Sequence, residues 1–421
     1  MDRRRFYGHA ALILLLAFAL RLGGAIGWER FTASRGEAPF FFGDSDSYWQ
    51  LGRALASGAP YEHDPVRHWK LFRMPGYPLV LAPLFLMADD PPVFAARVEN
   101  AVLGCLTVLL TGTVALALFG DRRLALWAML FAAAMPELLF QSVCVLSEEL
   151  SCVMTLALIL ALIVLARSRF SPARAVWVGL FWALGVYVRP DALCLFPFIV
   201  CMFFLFRDTR AFVARYARRA VLCGVILLAV FIALMSPWWI RNACLTGRFI
   251  PTTLQVGASL YDGLSPTAGG GSDMAFVDRF RGELDRQAAA DPDGNREFYE
   301  VRLDRAMKEA AIDWVRKHPK EAIRLAGVKF FRLWNVFPNE SAFSAVPARL
   351  LICLTFLPVG VGAVWGAWRL RRVRLVRLLW IPAVYVTLLH LIFVSSLRYR
   401  SPILPELVIL AAAAFFPPRG R

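Results

Sequence analysis

The run RRAVLCGVILLAVFIALMSPW at residues 218–238 opens on two arginines and then carries no charge until Arg241. A helix that crosses a membrane needs about 20 mostly apolar residues, so this stretch reads as one span with a basic foot. The same ruler finds further apolar runs near 8–27, 94–119, 124–140, 148–166, 174–188, 191–206, 348–368, 378–396 and 402–417. Composition agrees: 58% of the 421 residues are hydrophobic and 19% charged, where a soluble globule carries about 25% charged residues. The fold class expected is an all-α integral membrane protein with about ten transmembrane helices.

The net charge of +16 would ordinarily suggest a polyanion such as nucleic acid. The placement of the charges excludes that partner. Basic residues fall in short clusters between apolar runs: Arg3 to Arg5, Arg122 and Arg123, Arg167 to Arg174, Arg207 to Arg219, Arg369 to Arg377, and Arg419 with Arg421. Lys and Arg in short loops mark the cytoplasmic side. With ten spans all 20 of these arginines share the side of the N-terminus, and the short loops opposite carry three, Arg189, Arg398 and Arg400. Joining 174–188 and 191–206 into one kinked helix at Arg189-Pro190 would reverse everything downstream and destroy that split. Both termini are therefore expected in the cytoplasm, with the chain in the inner (plasma) membrane. The first run is too long for a secretory signal and lacks an obvious small-residue cleavage site, so it reads as a retained helix.

Two long segments fall on the exoplasmic side. The chain divides into a membrane module at 1–238 with a first external loop at 28–93, an external region at 239–347, and C-terminal membrane helices at 348–421. The first loop holds Phe40-Phe-Phe-Gly-Asp-Ser-Asp-Ser-Tyr-Trp49, then Arg73-Met-Pro-Gly-Tyr-Pro78 and a run from Leu79 to Met87 too short to span. The second begins at Pro237-Trp-Trp-Ile-Arg-Asn242 and becomes amphipathic from about Asn295 to Asn335. There Trp314, Ile323, Leu325, Phe330, Phe331 and Trp334 alternate with basic residues, the composition of helices lying on a membrane surface. Together the two segments are expected to form a small cap.

Ionisable groups in unusual positions gather at the exoplasmic ends of helices, while mid-membrane stretches stay nearly free of them, and charges near hydrocarbon usually pair or face an aqueous cavity. Asp44 and Asp46 stand two apart and do not share a helix face. They read either as a general base plus a helix cap or as two capping residues. Two carboxylates fall short of the six or so oxygens that Mg²⁺ takes, so no metal or other cofactor is favoured. Arg73, before a proline-fixed turn, suits a bidentate grip on phosphate or on lipid headgroups. Arg189-Pro190-Asp191 reads as a local ion pair or a binding element. Arg398 and Arg400 violate the positive-inside trend and point to an anionic partner. Glu137, Glu148 and Glu149 lie at helix ends, where capping explains the last two. Arg21, Arg97, Glu99 and Asn100 make a structural polar cluster. Six cysteines lie inside apolar runs, and Cys144 with Cys244 is the one disulfide left open. Asn339-Glu-Ser341 is an outward-facing sequon-like triplet, a common chance pattern.

These residues resemble the C-type glycosyltransferase superfamily of protein O-mannosyltransferases and aminoarabinose transferases, membrane enzymes that use polyprenyl-phosphate sugars. The resemblance rests on Asp44-Ser-Asp-Ser-Tyr48 followed by a helix to Ala56-Ser-Gly58, then Arg73-Met-Pro-Gly-Tyr-Pro78, Ser147-Glu148, Arg189-Pro190, Pro237-Trp238 to Arg241-Asn242, and Arg398-Tyr-Arg-Ser-Pro402 with Pro405. It spans most of the chain, and the order of the blocks carries it. Relatives with two adjacent acids have Asp-Glu, whereas here Ser45 separates Asp44 from Asp46.

The resemblance implies inverting transfer of a sugar from a polyprenyl-phosphate donor to a lipid, glycan or protein acceptor on the exoplasmic face. Asp44 is the implied catalytic base, Arg73, Arg398 and Arg400 the phosphate-binding residues, and Asp46, Tyr48, Tyr77, Glu148 and Arg189 further substrate-binding positions. A polytopic transporter or flippase of a lipid phosphate is the rival reading. Such proteins tend to carry repeated halves and midplane polar groups, and no internal repeat is evident.

Overall fold

The computed structural model describes residues 2–36, 38–64, 67, 69–290, 297–338 and 346–418. The triplet Asn339-Glu-Ser341 and the basic pair Arg419 and Arg421 lie outside the described residues. The described chain is a succession of helices: α1 (Arg3–Arg35), α2 (Gly43–Ser57), α3 (Gly76–Met87), α4 (Val93–Phe119), α5 (Arg122–Ala134), α6 (Pro136–Val143), α7 (Glu148–Arg167), α8 (Pro172–Val188) and α9 (Ala192–Phe204). After these come α10 (Arg207–Arg215), α11 (Ala217–Thr246), α12 (Val256–Gly263), α13 (Phe276–Ala290), α14 (Tyr299–Lys317), α15 (Pro319–Trp334), α16 (Val346–Arg369), α17 (Arg377–Ile392) and α18 (Leu404–Phe415).

Among the described residues six helices, α1, α4, α7, α11, α16 and α17 with the short turn before it, are long and apolar enough to cross a membrane, and two bent pairs bring the number to eight. The remaining runs of the expected ten are α8, with 17 residues, and α18, with 12. The expected span 124–140 is two helices bent by 54°. Pro136 opens α6 and its ring keeps Met135 out of the helical region, at φ −68° and ψ 115°. Conversely, Pro237 does not end α11, which continues to Thr246 and stops at Gly247 with φ +66°. The second cap region therefore starts about two turns later than expected.

α4 and α7 form the centre, with α1 and α5 against α4, α8 against α7, α11 behind α8, and α16 against α18. In lipid, helices associate through close backbone approach more than through exclusion of water. Gly366 illustrates this, since a Cβ there would lie 2.2 Å from the Leu410 carbonyl oxygen. Leu12, Leu15, Val221, Val225, Leu354 and Val364 point outward from the peripheral α1, α11 and α16.

At one end of the bundle α2 and α3 pack together as the first cap region, and α12 packs on α14 in the second. The regions are joined by the backbone: Leu254 N donates to Leu71 O at 2.8 Å, and Glu300 accepts from Lys70 N and Leu71 N at 2.8 and 3.0 Å. The expected surface-lying amphipathic stretch splits in two. The apolar face of α14 (Leu303, Met307 and Ala311) is buried against Ala258 and Tyr261, within the protein. The barest apolar residues of the stretch lie on α15, with Ile323 and Phe331 at 75% and 74% exposure. All eight cysteines are free, Cys144 and Cys244 included.

Candidate active site

α2 begins at Gly43, earlier than the capping reading of the two aspartates requires. Its N-cap residue is Phe42 and no side chain caps it, so Asp44 and Asp46 both lie in the first turn. Neither is a cap, and two residues along a helix they face different ways. Asp46 is exposed and accepts from Gln50 Nε2 at 2.6 Å. Asp44 instead meets two arginines: Oδ1 accepts from Arg73 Nη2 at 2.5 Å and Oδ2 from Arg398 Nη2 at 3.0 Å.

That carboxylate belongs to a longer string of alternating charge. Arg398 Nε also reaches Glu148 Oε1 at 3.1 Å, the same oxygen lies 3.3 Å from Arg189 Nη1, and Arg189 Nε lies 3.3 Å from Asp191 Oδ1. Three arginines and three carboxylates thus alternate from Arg73 to Asp191, drawn from four distant parts of the chain. The aromatic surroundings are shared: Arg73 lies over Tyr48 and Phe72 at 5.1 and 4.9 Å, and Arg398 over Phe42 and Tyr399 at 4.7 and 5.0 Å. Burial alone would raise the pKa of Asp44, but the charges and hydrogen bonds of Arg73 and Arg398 outweigh it and hold the carboxyl well below the usual carboxylate range.

Each member is held by local structure. Arg73 Nε donates to Ser47 Oγ at 3.1 Å and Nη1 to Gln255 Oε1 at 3.5 Å, so both cap regions grip it. The turn after Arg73 packs against the end of α8, where Gly76 is indispensable, because a Cβ there would lie 2.5 Å from Tyr187 O. That contact sets Arg73 beside the segment bearing Arg189. The stretch before Glu148 is fixed by the expected polar cluster: Asn100 Nδ2 donates to Cys144 O at 2.7 Å and Arg97 Nε to Val143 O at 3.2 Å. Arg398 rides on a 3₁₀ segment, Leu397–Ile403, between α17 and α18. Lys329 of α15, fully buried, donates to Ile392 O at 2.6 Å and so satisfies the end of α17 just ahead of that segment. The Arg241 block also acts through the backbone, donating to Tyr61 O and Lys70 O at 3.2 and 3.0 Å.

Five of the expected residues therefore meet: Asp44, Arg73, Arg398, Glu148 and Arg189. Tyr48 is buried beside them, with its hydroxyl 3.3 Å from Ser147 Oγ. Three do not join. Arg400 is fully buried, ion-paired with Glu137, donating to Leu333 O and Asn335 O at 3.0 and 2.7 Å, and stacked 3.5 Å over Phe356. Two residues along a 3₁₀ turn, its side chain departs from that of Arg398, so the phosphate-binding assignment is withdrawn and Arg400 becomes a brace between α15 and α6. Tyr77 is also fully buried, donating to Asn100 Oδ1 at 3.1 Å with its ring against Tyr48, which makes it a support. Asp46 lines a cavity that Ser47 and Arg73 also line, but its carboxylate bonds Gln50 and not an arginine of the string. Glu148 and Glu149, expected as capping residues, are buried partners instead: Glu148 in the string, Glu149 accepting from Thr107 and Ser142 at 2.9 and 3.1 Å. Ser47 and Gln255 had no sequence signal, being ordinary polar residues that matter only through what the fold sets beside them.

Two adjoining cavities open at Arg73. One, of about 340 Å³, is lined by Asp46, Gln50, His63, Asp64 and Arg73; the other, of about 290 Å³, lies between the cap regions and includes Asp44, Trp69, Gln255 and Arg281. Burial and the charge of Arg73 push the His63 pKa down to about 4. Among the described residues no three His, Cys, Asp or Glu side chains gather as a metal ion requires.

No protein-family profile matches the chain, and no curated protein matches it. Solved structures do, and what they have in common with the chain is the fold. The chain is similar to the oligosaccharyltransferase of Archaeoglobus fulgidus in its apo form, with a TM-score of 0.58 at 16% identity over 97% of this chain and 50% of that one. It is similar to the same organism's oligosaccharyltransferase AglB in complex with an inhibitory peptide and a dolichol-phosphate, at 0.58 and 15% identity over 98% and 50%. ArnT from Cupriavidus metallidurans bound to undecaprenyl phosphate matches at 0.46 and 15% identity over 97% and 77%. The chain spans about half the length of the oligosaccharyltransferase structures. The all-α fold with membrane-crossing helices expected from the sequence is the fold found.

Proposed function

We propose that the protein transfers a sugar from a polyprenyl-phosphate donor to an acceptor hydroxyl or amine, with Asp44 as general base and Arg73 and Arg398 holding the donor phosphate. The observation that carries this reading is the Asp44 carboxylate set between two arginines in the wall of the cavity between the cap regions. In the step proposed, the acceptor proton passes to an Asp44 oxygen as the acceptor atom attacks the anomeric carbon. The bond from that carbon to the phosphate oxygen breaks on the opposite face, and its electron pair leaves on the phosphate. Single displacement inverts the anomeric centre. Guanidiniums that stabilise charge developing on the leaving phosphate lower the barrier, and a positioned base contributes about 10²- to 10⁴-fold. That AglB, which shares this fold, was solved with a dolichol-phosphate supports a lipid-phosphate donor.

The reading also takes both termini as cytoplasmic and the charge string as facing the periplasm or exterior, where lipid-linked sugars are used. Gathering of the string at one end of the bundle favours transfer over the transporter reading, which calls for polar groups near the midplane. Replacing Asp44 with Asn should reduce transfer from a polyprenyl-phosphate sugar by about 10²-fold or more per folded molecule, measured at matched protein level and below the variant's melting temperature, which should fall because Asn gives up both ion pairs. Full activity in that variant would overturn the assignment.

A further inference from the structure

Resting on that reading of the site, we infer that Asp44 is a resident counter-anion which the donor phosphate displaces from Arg73 and Arg398, and which displaces the spent lipid phosphate in turn. The observation behind this is a charge balance with no vacancy. Arg73, Arg398 and Arg189 are matched by Asp44, Glu148 and Asp191, and Asp44 spends one oxygen on each of two guanidiniums. Those side chains are mostly withdrawn from water: Arg73 and Arg398 are 9% and 15% exposed and Glu148 3%, while Asp44, at 34%, is the most open member of the string. Among the described residues, an incoming anion finds no arginine of the string without a carboxylate. It must take the arginines from a carboxylate, and Asp44 is the carboxylate that solvent and ligand reach.

The exchange is matched in charge and shape. The phosphate of a polyprenyl-phosphate sugar is a diester with one negative charge and two non-bridging oxygens. It therefore accepts the two N–H bonds, from Arg73 Nη2 and Arg398 Nη2, that Asp44 gives up. Glu148 stays behind to hold Arg398 Nε, and Ser47 and Gln255 stay to hold Arg73, so the guanidiniums keep their places during the swap. Released from both cations, Asp44 becomes a stronger base only once the donor is seated, which prevents it from acting on an acceptor alone.

The second half follows from the proton. After transfer, Asp44 carries the acceptor's proton and is neutral, so it cannot compete for the arginines. They hold the newly formed phosphate monoester, whose negative charge has increased. Loss of that proton to water restores the carboxylate, which reclaims Arg73 and Arg398 and loosens the product lipid. One residue then serves as the gate for the donor, the base, and the release trigger.

The test is binding of sugar-free polyprenyl phosphate to the full-length protein in nanodiscs, for wild type, Asp44→Asn and Arg398→Gln. Removing the competing charge should tighten binding by about tenfold or more in Asp44→Asn, because a ligand that must first displace a resident group has its apparent affinity reduced by that competition. Arg398→Gln should weaken it. If Arg398→Gln weakens binding while Asp44→Asn binds equally or more weakly than wild type, the displacement is wrong and the phosphate-binding reading stands. If neither substitution changes binding, or none of the three proteins binds, both fail. Should Asp44→Asn not fold, the wild type itself decides. With ¹³C-aspartate incorporated, the infrared difference spectrum on adding polyprenyl phosphate should show an aspartate carboxylate band moving as its guanidinium partners leave, and an unshifted band overturns the inference.

Discussion

Arg398 and Arg400 stand two residues apart and break the same topological trend, yet one faces the site and the other is sealed in a brace with Glu137. Sequence exposes the anomaly of both, because a charge beside an apolar run needs compensation. It does not reveal the compensating group, which for Arg400 lies 263 positions away. Asp44, Arg73, Glu148 and Arg189 were legible for the same reason that Ser47 and Gln255 were not: ionisable groups are conspicuous among apolar residues, and neutral polar ones are not. At this scale pH separates two roles. The folded pKa of Asp44 lies below its unfolded value, so its stabilisation is complete above the ordinary carboxylate range and is lost only as pH falls below it. His63 is also depressed, from 6.5 to about 4. The fold favours its neutral form, so that contribution is present above pH 6.5 and drains away as pH falls from there to about 4. The melting temperature of the purified protein should decline across that window, and His63→Gln should flatten the decline; an equally steep slope in the variant would remove His63 as its cause.

Among the elements, the long apolar helices follow directly from run length, and the misjudged ones follow from proline. Pro136 splits a run that looked continuous, while Pro237 sits inside α11 without ending it. Composition alone does not say whether neighbouring groups take up the backbone bond that a proline frees. The α14 stripe was likewise ambiguous, since a face made for α12 and a face made for lipid use the same residues. The junction of α3 with α8 gives a sharper expectation. With the Tyr187 carbonyl oxygen 2.5 Å from the position of a Gly76 Cβ, and Val188 N at 2.8 Å, Gly76→Ala must push two backbones apart. Overpacking of this kind costs about 1–3 kcal/mol. Arg73 should move with the turn, so the variant should show a lowered melting temperature together with a raised donor KM, and a wild-type KM would show that the turn does not position Arg73.

For the molecule as a whole, the alternating string ties the first cap region to the ends of α7, α8 and α17, so its members should not behave independently. Glu148 touches both Arg398 and Arg189 through one oxygen. In a double-mutant cycle with Glu148→Gln and Arg189→Gln, thermal unfolding should give a coupling energy of about 0.5–3 kcal/mol, and additive effects would mean that the two charges are independently solvated. The string also has a direction in time. Arg398 is joined to the chain 354 residues after Asp44, so a ribosome that has already delivered the first cap region to the membrane has made a carboxylate with only one of its two guanidiniums. Until α17 inserts and brings Arg398 into place, a nascent chain lacks half of the arginine pair that the proposed function assigns to the donor phosphate, and translation itself delays the assembly of the string until the fold around it can be completed.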